Sequence, residues 1–310
     1  MKKTDPNRLP FRRKYNINDV WQSYIFLALP IIGFFVLSLY PISWAARWSF
    51  YDFMGAARDA VFIGLANFKT VFRDVTYWST WVTTFQFAVL KLPVELPLAM
   101  ILAVFLNREM KGRGIFRAVY FMPAIISAAI IGLIFSNMFE YFGVINALLM
   151  KYGIIDEGIN WFNSKFTALV VLALADTWRT FGTNVLYFLS ALQNVDESIY
   201  EAATIDGAGK LTLFFKFTLP LIAPVLQTIL LLSINGTLHT GDFIIATTNG
   251  APGGQTHTVM SYLTRTFMPG FASNYPPIGY GCALGIITAI LMASIALIYN
   301  KLSSKLANMY

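Results

Sequence analysis

The stretch LQNVDESIYEAATIDGAGKLTLFFKFTLPLIAP, residues 192–224, lies between two long apolar runs at about 166–191 and 219–240. Asp196 and Glu197 suit the first turn of a helix, where unpaired N–H groups favour negative charge. Ile199, Ala202, Ala203 and Asp206 continue a helical spacing, and Gly207 permits the backbone reversal that ends it. Gly209 and Lys210 open a second short helix, and Pro220 stands where a missing N–H is tolerated, at the start of the next apolar run. The segment therefore reads as a helix, a sharp turn and a helix lying on a membrane surface, with Glu201 beside small Ala202 and Ala203 on a compact knob. The chain around it is expected to be a bundle of membrane-spanning helices.

Composition agrees. Of 310 residues 56% are hydrophobic and 13% charged, against about 25% charged in a soluble domain. Six stretches are long enough to cross about 30 Å of hydrocarbon: about 22–42, 82–106, 119–139, 166–191, 219–240 and 278–299. Helices are the expected solution, because an isolated span must satisfy its backbone groups internally and these runs are far longer than barrel strands. Residues 1–21 form a basic N-terminal segment carrying Lys2, Lys3, Arg8, Arg12, Arg13 and Lys14. The apolar run after it has no small-residue cleavage site and reads as a retained first span. With that end inside, segments on its side hold 14 Lys and Arg against 7 on the other, which predicts both termini cytoplasmic. Segment 43–80 is too polar to cross and is expected to cap the outer side with short helices. Trp44, Trp48, Trp78, Trp81 and Trp161 fall near outer ends, where indoles suit the headgroup region.

Several functions are excluded. The single Cys282 rules out an internal disulfide, and His239 and His257 make no metal-ligand cluster, so neither metal nor other cofactor is expected. The net charge of +7 is explained by cytoplasmic loops and points to membrane lipid, with no nucleic acid partner. Gly209-Lys210 superficially resembles the end of a phosphate-binding loop. That pattern needs Gly where Thr204 stands and Ser or Thr where Leu211 stands, so the chain itself is not expected to bind ATP. No convergent base, nucleophile or metal set marks an enzyme.

The run Glu201-Ala202-Ala203, then Gly207, then Leu219-Pro220, resembles the EAA loop of binding-protein-dependent ABC importer permeases, and Asp206-Gly207-Ala208 directs the resemblance to the sugar branch that includes the maltose permeases. Looser similarity extends through Gly64-Leu65-x-Asn67-Phe68, Trp178, Leu192-Gln193 and Asn249-Gly250-x-Pro252. Phe217 departs from the usual Ile but stays apolar. The resemblance implies an all-α, type I importer-like permease of six transmembrane helices in a bacterial or archaeal cytoplasmic membrane. It further implies that a loop at about 192–218, with Glu201, Ala202, Ala203, Asp206 and Gly207, docks on a separate cytoplasmic ABC ATPase. Glu201 is then expected to meet a basic ATPase residue. The implied partners are a second, different permease subunit, an extracytoplasmic solute-binding protein and a sugar. A glycerol phosphate or polyol importer is the alternative, and a proton-coupled carrier a more distant one with no use for such a loop.

Polar residues within the spans are the pathway candidates. Asp176, Thr180, Thr183 and Tyr187 form one stripe on the fourth span, with Trp178 as a further aromatic. Ser233, Gly236, Thr237 and Thr240 form one on the fifth, with Asn235, His239 and Asp242 on a neighbouring strip. Small polar stripes also serve helix packing; with the resemblance, a cavity supplying hydroxyl, amide and aromatic partners to a sugar is the favoured reading. Lys91 and Glu95, four apart and interleaved with Pro93 and Pro97, are expected to neutralise each other at a kink. Arg179 has three open roles: serving an anionic substrate, snorkelling, or pairing with Asp176.

Overall fold

The computed structural model describes residues 17–55, 59–107, 111–268 and 276–307. The cations from Lys2 to Lys14, Arg58 and Arg108 lie outside the described residues. Helices dominate. The first, α1 (Ile17–Phe34), passes through a π-helical turn, Phe35–Leu39, into α2 (Tyr40–Trp48). This unbroken apolar stretch has nearly all its side chains exposed and meets the rest of the chain where α2 touches the last helix.

The segment expected to form a cap of short helices holds, among its described residues, a two-residue antiparallel ribbon, β1 (Tyr51–Asp52) against β2 (Val61–Phe62), as well as the short helix α3 (Ala66–Arg73). Asn67 ties them together by donating to the carbonyls of Ser49 and Tyr51, each at 2.9 Å.

The second span is longer than its apolar run. Helix α4 (Val75–Leu106) begins seven residues before 82, because Asp74 caps it by accepting from the Tyr77 amide at 3.0 Å. Trp78 and Trp81 thus sit inside the helix, and Trp81 is buried in a core with Tyr77, Leu238, Val259 and Leu284 rather than anchored at an interface.

The stretches expected as the third and fifth spans are each bent. Helix α5 (Arg113–Ile125) meets α6 (Ala128–Met138) at 93°, where Pro123 withdraws an N–H and Ile126 and Ser127 turn extended. After α7 (Val144–Lys151), α8 (Lys165–Gln193) runs unbroken, followed by α9 (Glu197–Ile205). Then α10 (Lys210–Thr212), a π-helical stretch Leu213–Thr218 and α11 (Leu219–Leu221) form one arm that meets α12 (Ala223–Leu238) at 73°. Pro224, not Pro220, therefore starts the straight part of the fifth span.

Two short helices, α13 (Asp242–Thr247) and α14 (Val259–Phe267), precede the terminal α15 (Ile278–Ala307). Among the described residues three helices are individually long and apolar enough to cross a membrane, and the two bent pairs qualify if each pair counts as one span. Helix α8 is long enough but more polar.

The centre is α4 packed along α8, with α5, α6 and α12 around them. Ala99, Ala103, Val185, Phe188, Leu192 and Ile229 fill one core, and Phe87, Ile131, Leu172 and Phe243 another. Small residues set the approach. A Cβ on Gly182 of α8 would run into the Tyr120 carbonyl and lie 2.9 Å from the Phe121 Cα, both on α5, and one on Gly132 of α6 would lie 2.7 Å from the Thr247 hydroxyl.

Candidate functional site: a charged polar cavity and a surface knob

Three helices bring their polar residues to one place. Helix α4 contributes Lys91 and Glu95, α8 contributes Asp176, Arg179, Thr180, Thr183, Asn184 and Tyr187, and α12 contributes Ser233, Gly236 and Thr237. All but Asp176 line a cavity of about 360 Å³, with Leu232 on its wall. The stripes on α8 and α12 do face each other.

The expected Lys91–Glu95 pair is present, with Lys91 Nζ 3.4 Å from Glu95 Oε2, and Lys91 also reaches Asp176 Oδ2, on another helix, at 2.5 Å. Asp176 also receives Arg179, through Nε at 2.8 Å and Nη2 at 2.6 Å. A fully buried carboxylate is thus held between two cations, as a desolvated charge requires. Of the roles open for Arg179, the structure displays the pairing with Asp176.

Glu95 extends the network. Its Oε1 accepts from the Thr180 hydroxyl at 2.6 Å and the Asn184 amide at 2.7 Å, and Asn184 Oδ1 accepts from Ser233 at 3.1 Å. Thr237 is buried and donates to the Ser233 carbonyl at 2.8 Å.

The remaining pathway candidates lie elsewhere. Trp178 turns from the cavity and packs on Phe135 with ring centroids 5.7 Å apart. Asn235 is exposed on another face of α12, its carbonyl bonded to His239 Nδ1. Thr240 is buried, donates to the Gly236 carbonyl, and its own carbonyl accepts from Thr258 at 2.7 Å. Asn184 was absent from the sequence-derived stripe, although it stands one turn beyond Thr180 and could have been reached by continuing the same spacing.

The knob is built as its sequence dictates. Asp196 Oδ1 accepts from the Ser198 amide at 3.0 Å, and hydrogen bonds from Ser198 hold this carboxyl below the usual range. Helix α9 exposes Glu201 and Ala202 and buries Ala203. Gly207 has φ +83°; its N–H bonds the Thr204 carbonyl at 3.0 Å, and the Ala208 N–H bonds the Ala203 carbonyl at 2.9 Å, the paired closure of a helix ending in a left-handed residue. Asp206 is exposed at the helix cap, and Ile205 beside it is 85% exposed.

On the side of the cap, Asp74 Oδ2 also accepts from Tyr262 at 3.0 Å and from Tyr280, joining α4, α14 and α15. Nearby, a wide cleft of about 950 Å³ is lined by Asn249, Gln255, His257 and Arg265. Burial, with the Arg265 charge, pushes His257 below its ordinary range.

Residues 95–308 match the family described as binding-protein-dependent transport system inner membrane component. The chain belongs to that family. The permease is 34% identical to the arabinooligosaccharides transport system permease of Bacillus subtilis, over 90% of this chain and 88% of that one. It is 35% identical to the lactose transport system permease of Rhizobium radiobacter, over 86% of this chain and 89% of that one. Its fold is that of a solved bacterial alginate ABC transporter in complex with an alginate pentasaccharide-bound periplasmic protein. The TM-score is 0.78 at 22% identity, covering 94% of the permease and 96% of that chain. The permease is accordingly a membrane-embedded, all-helical component of a transport system.

Proposed function

We propose that this permease forms one half of the transmembrane pathway of an ATP-driven importer that moves a sugar or oligosaccharide handed over by an extracytoplasmic binding protein. The observation that carries the reading is the convergence of Lys91, Glu95, Thr180, Thr183, Asn184, Tyr187 and Ser233 on one polar cavity among apolar helices. Buried polar side chains in a membrane bundle are costly unless paired or facing a wet space. The sugars in the relatives' names support the substrate class.

In this reading six spans cross a cytoplasmic membrane with both ends inside, and a different permease supplies the other half. A pair of separate ATPase subunits binds the knobs, with Glu201 meeting a basic ATPase residue and Ala202, Asp206 and Gly207 shaping the contact. ATP-driven closure of that pair draws the knobs together, and the helices rearrange around the cavity, exposing it to each side in turn.

The test is uptake and ATPase activity in the assembled complex. Thr183→Trp, which projects bulk into the cavity, is expected to keep complex yield and lose uptake at least tenfold. Glu201→Lys is expected to keep yield and separate ATP hydrolysis from uptake. Normal uptake in both variants refutes the reading.

A further inference from the structure

Of the two buried carboxylates among the described residues, Asp176 and Glu95, the second is met less closely by cations. Asp176 is gripped by Lys91 and Arg179, with all three contacts at 2.8 Å or less, whereas the nearest cation to Glu95 is Lys91 at 3.4 Å. Its Oε1 is engaged by Thr180 and Asn184, whereas Oε2 faces Lys91 Nζ at 3.4 Å and among the described residues receives no hydrogen bond. The side chain is only 1% exposed, yet it lines the cavity. A buried carboxylate oxygen without a donor is an unfavourable arrangement that a ligand bringing a donor relieves.

The charges around Oε2 select the donor. An ammonium group there would face Lys91 Nζ and the Arg179 guanidinium beyond it. An anion would face Glu95 itself; Lys91 and the Nε–Nη2 edge of Arg179 are already taken by Asp176, which leaves it the Nη1 side of that guanidinium alone. A hydroxyl donates a hydrogen without adding charge. The four ionised groups, Lys91, Arg179, Glu95 and Asp176, sum to zero and leave the cavity suited to a neutral ligand.

We propose that Glu95 is a substrate-contacting specificity residue: its Oε2 accepts a hydroxyl hydrogen from a neutral polyhydroxylated substrate, and its charge rejects substrates bearing carboxylate, phosphate or sulfate. This rests on the cavity being the sugar site. It turns the choice between a sugar and a glycerol phosphate importer toward the sugar, on the geometry of a residue outside the two polar stripes.

The experiment uses the complete transporter with its binding protein in proteoliposomes. The probes are radiolabelled maltose, lactose and arabinotriose, with glycerol 3-phosphate and digalacturonate as anions. Transport of at least one neutral probe and of neither anion is expected; transport of an anion, or of none of the neutral probes, overturns the proposal. Glu95→Gln keeps an acceptor for Thr180 and Asn184 but places an amide N–H₂ where the open oxygen was. It is expected to lower the rate at saturating loaded binding protein at least tenfold with unchanged complex yield. Glu95→Asp keeps the charge beside Lys91 but draws the carboxylate back by one methylene; it is expected to be equally slow, and it keeps the test readable if Glu95→Gln fails to assemble. A wild-type rate in Glu95→Gln or in Glu95→Asp shows that Glu95 only balances Lys91 and overturns the proposal. Thr183→Trp distinguishes the two levels: normal uptake there removes the cavity reading itself, whereas blocked uptake with a normal Glu95→Gln removes this inference alone.

Discussion

Gly207 and Gly209 stand two residues apart in the knob and obey different constraints. A Cβ would meet nothing within 4 Å at either position, but only Gly207 has positive φ, at +83°; Gly209 sits at −74°. Any cost at Gly207 is therefore backbone strain, about 1–2 kcal/mol for an ordinary residue and more for a β-branched one. Gly207→Val is expected to lower the thermal midpoint of the purified complex and its ATPase stimulation, while Gly209→Ala leaves both near wild type. Asp74 is a second residue with a local signature. Burial alone would raise its carboxyl, but hydrogen bonds from Tyr280, the Tyr77 amide and Tyr262 outweigh this and hold it below 3.8. Burial and the Asp74 charge push the Tyr262 phenol up to about 12, so it remains a donor. A depressed carboxylate contributes stability that is complete above the unfolded value, near 4, and is lost as pH falls through the lower folded value. The melting temperature of the complex is expected to drop on acidification below about pH 4, and Asp74→Asn to melt lower at neutral pH with a shallower acid dependence. An unchanged acid limb in Asp74→Asn would remove Asp74 from that role.

At the scale of elements, the decisive features are two bends and one close contact. The 93° corner between α5 and α6 and the 73° corner before α12 fall beside Pro123 and Pro224, and a hydropathy reading joins each pair because the chain stays apolar through the corner. Gly182 lets α8 approach α5 until its missing side chain is occupied by the Tyr120 carbonyl. Gly236 on α12 meets nothing within 4 Å and faces the cavity. Gly182→Ala is therefore expected to destabilise by about 1–3 kcal/mol, read as reduced yield and melting temperature. Gly236→Ala should be neutral or stabilising by up to about 1 kcal/mol. Equal stability of the two variants would show that α5 and α8 do not pack as described. Both glycines lie within apolar helices, and nothing in their local sequence tells packing from pathway.

For the whole molecule, orientation is the property to test. Cys282 is the sole cysteine, so Ile205→Cys in a Cys282→Ser background gives one reporter on the knob, where Ile205 is 85% exposed. Labelling is expected in inverted vesicles and not from outside sealed cells; labelling from outside overturns the arrangement with both termini cytoplasmic. The sequence by itself determined the all-helical membrane class, because backbone groups in hydrocarbon must pair internally and the apolar runs have helical length. It also determined the knob, since Asp196, the helix after it and Gly207 act through bonds a few residues apart. Only the tertiary structure decided which polar residues share the cavity. Helical spacing placed Thr180, Thr183 and Ser233 on stripes but could not separate them from Trp178, Asn235 and Thr240, whose directions are set by neighbouring helices. It alone brought Lys91 to Asp176, 85 residues away, more closely than to Glu95 one turn along its own helix. Local spacing supplies a pair along one helix. The distance at which two helices pack decides which pairs form between them.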